Sequence, residues 1–159
     1  MECGYLSQIT VKIIRTNSEN KDFVALVNLL DADLAIRDGE DHAFYDQFNK
    51  IDMLKNVVVC YAEEIPVGCG AFKPFEVDSV EIKRMYTLPQ QRGKGYASII
   101  LNELEVWATE LGFTSAVLET GVKQPEAIAL YKKNGYNRID NYGQYAGVEN
   151  SLCFEKELR

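Results

Sequence analysis

The run Arg92-Gly93-Lys94-Gly95-Tyr96-Ala97 carries the plainest chemistry in this 159-residue chain. Two glycines and two cations open a long amphipathic segment, just after a strand-like stretch from Val80 to Tyr86. The first N–H groups of a helix have no partner inside it and lie at the positive end of its dipole. Gly93 and Gly95 lack a Cβ, so a ligand can come close to the backbone, and Arg92 and Lys94 add mobile positive charge. Together these features make a seat for a phosphate or pyrophosphate.

The segment Gly93 to Ser98 nearly fits the dinucleotide pattern GxGxxG, and Glu119 ends the next strand near where a ribose carboxylate would stand. Against that reading, Ser98 replaces the third glycine and a five-residue loop separates the strand from Arg92. The preceding hairpin also belongs to no repeated βαβ unit. Other chemistries lack their residues. His42 is the only histidine, and neither HExxH nor the P-loop pattern occurs. The four cysteines (Cys3, Cys60, Cys69 and Cys153) form no CxxC pair and read as buried reduced thiols, so no metal site is expected.

A formal net charge of −7 speaks against a broad nucleic-acid surface. No uncharged apolar run reaches the ~18 residues of a membrane span, and Met1 to Tyr5 do not begin a secretion signal. The expectation is a cytoplasmic protein with no membrane partner. Its length suits one domain over residues 1–159, able to bury a sizeable core.

The elements that must hold the glycine run follow from periodicity. Ile9, Val11 and Ile13 alternate as a first strand. Asn17-Ser18 is placed to cap a helix to about Leu34, with Phe23, Leu26, Val27 and Leu30 on one face. A second, weaker helix is predicted from Asp41 to Lys50. Val57 to Tyr61 and Ile65 to Phe72 read as a hairpin turning at Glu63-Glu64, its second strand weakened by Gly68 and Gly70. Ala97, Ile100, Leu101, Leu104, Trp107, Ala108 and Leu111 define the long helix, which Gly112 ends. Ser115 to Leu118 is a strand, Pro125 to Gly135 a helix, and Tyr136 to Ile139 and Leu152 to Phe154 close the sheet. The order βααβββαβαββ is a mixed α/β sheet with helices on its faces.

At this point the chain resembles the GNAT superfamily of acyl-CoA-dependent N-acetyltransferases. Arg92, Gly95 and Ala97 match that family's pyrophosphate loop, Gln/Arg-x-x-Gly-x-Gly/Ala. The Pro-containing segment Met85-Tyr86-Thr87-Leu88-Pro89 and the run from Ala127 to Tyr136 are similar as well. The resemblance runs from about Val57 to Gly135 and is weak before residue 50, where such proteins usually form the acceptor site. It implies the GNAT fold: a mixed, mostly antiparallel central sheet of six to seven strands flanked by about four helices. It also implies acetyl-CoA as acyl donor, coenzyme A and an amine acceptor as partners, and leaves a homodimer open.

Direct transfer makes three demands: a deprotonated amine, a polarised thioester carbonyl and a stabilised thiolate. The resemblance assigns Glu81 as general base, with a surface pairing to Lys83 or Arg84 as the plain alternative. It assigns Tyr131 as acid toward the sulfur, against simple packing on the helix's apolar face. Coenzyme A would be held by Met85, Tyr86 and Thr87 of the strand, by Arg92, Gly93, Lys94, Gly95, Tyr96, Ala97 and Ser98, and by Gln124, which stands where the family often has Asn. A backbone N–H at Met85 or Tyr86 would bind the carbonyl oxygen. The loop with Tyr142 and Tyr145 is either a wall of the acceptor pocket or an ordinary turn. Phe44, Tyr45 and Phe48 carry the same ambiguity. An acyl-CoA sensor without turnover and a nucleotide-binding protein of another kind stay open as alternatives.

Overall fold

A computed structural model describes residues 9–46 and 53–158. Cys3, Phe48 and the end of the predicted second helix lie outside the described residues. The chain orders as β1 (Val11–Thr16), α1 (Lys21–Asp38), α2 (His42–Asp46), β2 (Asn56–Ala62), β3 (Ile65–Glu76) and β4 (Ser79–Thr87). It continues with α3 (Tyr96–Glu110), β5 (Ser115–Gly121), α4 (Pro125–Lys133), β6 (Asn137–Ile139) and β7 (Ser151–Glu157). One seven-stranded sheet runs β1-β2-β3-β4-β5-β7-β6, antiparallel throughout except for the β4–β5 pair.

Strand alternation splits the core into two layers. Val58, Cys60, Val80, Ile82 and Leu118 meet Ile100, Leu101 and Leu104 of α3 and Tyr131 of α4 on one face. Val57, Val59, Cys69, Ala71 and Tyr86 meet Phe23, Leu26, Val27 and Leu30 of α1 on the other. Gly68 and Gly70 are what let α3 lie close to β3. A Cβ at Gly70 would stand 2.5 Å from Met85 Sδ and 2.9 Å from Leu104 Cδ1, and one at Gly68 2.9 Å from Ile100 Cδ1. These glycines therefore do not weaken the strand: β3 extends past the predicted end at Phe72 to Glu76. The β2–β3 turn is made by Glu63 (φ 51°) and Glu64 (φ 65°), the paired positive angles of a type I′ hairpin.

Two helix boundaries differ from expectation. The cap of α1 is Asn20, whose side chain accepts from Phe23 N at 2.9 Å. The predicted caps are occupied elsewhere: Asn17 Oδ1 accepts from Glu19 N, and Ser18 Oγ accepts from Leu54 N. The helix runs on to Asp38 rather than stopping at Leu34. The second helix begins with a 3-10 turn at Gly39–Asp41 before α2. No helix among the described residues is long and apolar enough to cross a membrane.

Candidate functional site

The site originates in a short ladder. Strands β4 and β5 pair only at Ser79–Ser115, Val80–Ala116 and Glu81–Val117. Beyond Glu81 the sheet opens between them, and two adjoining cavities occupy the gap and the groove above it.

The larger, about 330 Å³, runs from β4 past the N-terminus of α3 to α4. Met85, Tyr86, Thr87, Arg92, Gly93, Gly95, Tyr96, Ala97, Ser98 and Gln124 all line it, so every residue expected to hold coenzyme A except Lys94 faces one cleft. Lys94 instead donates from Nζ to Gln91 Oε1 at 3.1 Å. Gly93 (φ 80°) and Gly95 (φ 90°) both adopt the left-handed conformation that glycine tolerates, and Gly95 is the N-cap of α3. Among the described residues, no heavy atom lies within 4 Å of where a Cβ would stand at either position. Arg92 is anchored rather than mobile: its Nε donates to Thr87 O at 2.9 Å, and its guanidinium lies 5.6 Å from the centre of the Tyr86 ring. Asn134, at the end of α4, donates to Ser98 Oγ and ties that helix to the first turn of α3.

The smaller cavity, about 110 Å³, lies on the α1 side of β4, with Tyr45 and Tyr145 among its lining. Its wall carries Asp38, Glu81 and Glu119, together with Lys83 and Arg84. Glu81 is 4% exposed, so its expected pairing with Lys83 is made in the interior rather than at the surface. Its Oε2 accepts from Tyr142 at 2.7 Å, and Lys83 Nζ stands 3.7 Å from Oε1. Glu119 is held by desolvation far above its ordinary value of 4.5, up to about 7, although Ser151 and Lys83 pull the other way. Burial also lowers Lys83 from the usual ammonium range. Tyr45 shares a 2.8 Å hydrogen bond with Ser151 Oγ.

A bulge explains how Arg84 joins Glu81 and Lys83 on this wall. Cys69 pairs with Tyr86 and Ala71 with Lys83, so two residues of β4, Arg84 and Met85, stand opposite Gly70 alone. Arg84 takes a positive φ of 60°, and Cys69 Sγ donates to its carbonyl oxygen. Strict alternation would send Arg84 to the α3 face, opposite Glu81 and Lys83. The bulge returns it to the α1 face, where Nη1 donates to Asp31 Oδ1 at 2.6 Å.

Tyr131, Met85, Gln124, Ala127 and Leu30 line both cavities and so form their junction. Tyr131 is 6% exposed, edge-on to Tyr136, and burial raises its hydroxyl well above the ordinary phenol range. Gln124 is the N-cap of α4 but makes no side-chain capping bond, which leaves its amide over the junction. Glu119, Arg84, Tyr45 and the Tyr142–Tyr145 loop are the site residues that sequence reasoning missed or left ambiguous. For Glu119 a signal existed, an acid ending the otherwise apolar run Ala116-Val117-Leu118. For Arg84 there was none, because a bulge does not show in the residue pattern.

Comparison with known proteins identifies the family and the fold. The model of the acetyltransferase (GNAT) family matches residues 23–136. A curated relative from Azospirillum brasilense, named IAA acetyltransferase, is 39% identical over 93 residues, which is 58% of this chain and 61% of that protein. The chain thus spans about half to three fifths of the length of the first curated relatives it matches. A solved structure from Klebsiella pneumoniae, described as a proposed acyl-CoA N-acyltransferase, matches at a TM-score of 0.79 with 28% identity over 94% of this chain and 99% of that one. A GNAT family acetyltransferase from Elizabethkingia anophelis, solved with acetyl-CoA bound, has the same fold at a TM-score of 0.67 and 16% identity, over 93% of this chain and 98% of that one.

Proposed function

Because the chain belongs to the acetyltransferase (GNAT) family, we propose that it transfers an acetyl group from acetyl-CoA to the amine of an acceptor by direct attack in a ternary complex. The observation that carries the reading is the junction of two cavities at Met85 and Tyr131, one headed by the glycine loop and the other walled by Glu81 and Glu119. A pyrophosphate is received by the N–H groups at the start of α3, with Gly93 and Gly95 admitting it to the backbone. The pantetheine arm follows the open edge of β4 toward Met85, where a backbone N–H polarises the thioester carbonyl.

The acceptor enters from the smaller cavity. Its neutral amine attacks the carbonyl carbon, a C–N bond forms, the C–S bond breaks and the thiolate leaves with coenzyme A. The amine proton passes to the carboxylate pair Glu81 and Glu119. Of the two, Glu119 is the better proton acceptor at neutrality, since its carboxyl is held near 7 and efficient general bases titrate near the working pH. Glu81 is the partner already oriented by Tyr142. Full proton transfer from a phenol raised above ~10 to a thiolate near ~8.5 runs uphill. Tyr131 therefore stabilises the departing sulfur by donating a hydrogen bond to it.

The test combines calorimetry with a thiol-release assay. Acetyl-CoA should bind and NAD should not, and a panel of amines should include at least one that releases coenzyme A. Binding of NAD without coenzyme A would overturn the proposal. Acetyl-CoA binding with no turnover across the panel would convert the site to a sensor.

A further inference from the structure

We infer that the acceptor is a small zwitterion whose carboxylate is received by Arg84 while its amine faces Glu119 and Glu81. This inference rests on the transferase reading and names the substrate class of the same site.

The Arg84 residue is 7% exposed and lines the smaller cavity. Its Nη1 is engaged by Asp31, but Nη2 is buried and has no hydrogen-bond partner among the described residues. A buried guanidinium N–H left without an acceptor costs the desolvation of that group, so native interiors rarely keep one. A buried, unpartnered donor on a cavity-lining residue points to a site completed by an anion.

Charge and size narrow that anion. Lys83 is already matched to Glu81. Asp31 already neutralises one side of Arg84, and Asp38, Glu81 and Glu119 share the wall. A doubly charged phosphate would meet three acids; a singly charged carboxylate needs only the open donor. The same acids suit an amine at the other end. A cavity of about 110 Å³ is smaller than the ~150 Å³ void that holds benzene. That volume has room for a short amino acid. On transfer the product is the N-acetyl amino acid, with the amine proton left on the carboxylate pair and the thiolate leaving on coenzyme A.

The test uses the intact chain with acetyl-CoA and matched acceptors: glycine, β-alanine and 4-aminobutyrate, each beside its carboxamide. Thiol release should favour at least one acid over its carboxamide by about 10- to 100-fold in kcat/KM, the worth of a buried charge-assisted hydrogen bond. Arg84→Met and Arg84→Lys should compress that ratio, chiefly by raising KM for the acid. The wild-type ratio alone decides the matter if the variants fold poorly. Equal use of acid and carboxamide, or a ratio that survives in a folded Arg84→Met, overturns the inference while leaving the transferase reading intact. Failure to bind acetyl-CoA overturns both.

Discussion

Tyr142 donates its hydroxyl to Glu81 Oε2 across 2.7 Å, joining residues 61 positions apart in the chain. The contact brings the loop before β7 onto the end of the β4–β5 ladder. Phe75 holds the same tyrosine from the other side, ring centres 4.8 Å apart. Tyr142→Phe should keep the ring packing and lose the bond. Removing that hydrogen bond from the buried Glu81 carboxylate costs about 1–3 kcal/mol, readable as a lower urea midpoint. We expect kcat/KM to fall about tenfold, and the loss to be non-additive with Glu81→Gln, as for groups acting as one unit. Full additivity would separate Tyr142 from Glu81.

Glu119 gives a pH signature with a definite sign. Its carboxyl titrates at about 7 in the fold against an ordinary 4.5. Folding thus favours the protonated form, so this contribution to stability is complete below pH 4.5, falls as pH rises, and is gone above 7. Glu119→Gln should match the wild type near pH 4 and exceed it at pH 8, by on the order of 3 kcal/mol. The same change should cut kcat/KM by about 10²-fold and remove the rise in rate through neutrality. A stability difference that does not change with pH would show that Glu119 titrates normally.

Tyr131→Phe separates thiolate stabilisation from packing. The ring contacts with Tyr136 and Phe154 persist, since only the hydroxyl is removed. We expect kcat to drop about 10- to 100-fold, with the affinity for coenzyme A measured by calorimetry changed by less than about twofold. An unchanged kcat would leave Tyr131 as a wall of the two cavities.

Gly70→Ala tests the close approach of α3 to β3. The added methyl would meet Met85 Sδ and Leu104 Cδ1, both in the core beneath the site. Overpacking of this kind costs about 1–3 kcal/mol. Because Met85 must shift, KM for acetyl-CoA should rise as well. Denaturant titration and steady-state kinetics check the two effects, and a neutral outcome in both would mean that Met85 yields without cost.

The strands, the long helix and the glycine loop were legible from residues 57–135 because their signals are local. The β-rich run Val57-Val58-Val59-Cys60, the helical spacing from Ala97 to Leu111 and the glycines at 93 and 95 each state a backbone preference within a few positions. Capping was less legible, since Asn17, Ser18 and Asn20 are all competent and only the contact with Leu54 takes Ser18 away.

By itself the sequence determined the fold class, the glycine-rich opening of α3 and the strand that carries Glu81. Only the tertiary structure decided what surrounds Glu81: Tyr142 from a distant loop, Glu119 across an opened ladder, and Arg84 brought to the same face by one extra residue in β4. The physical reason is that periodicity encodes which face a residue prefers. Where a ladder ends or a bulge reverses the alternation depends on what packs against both faces at once.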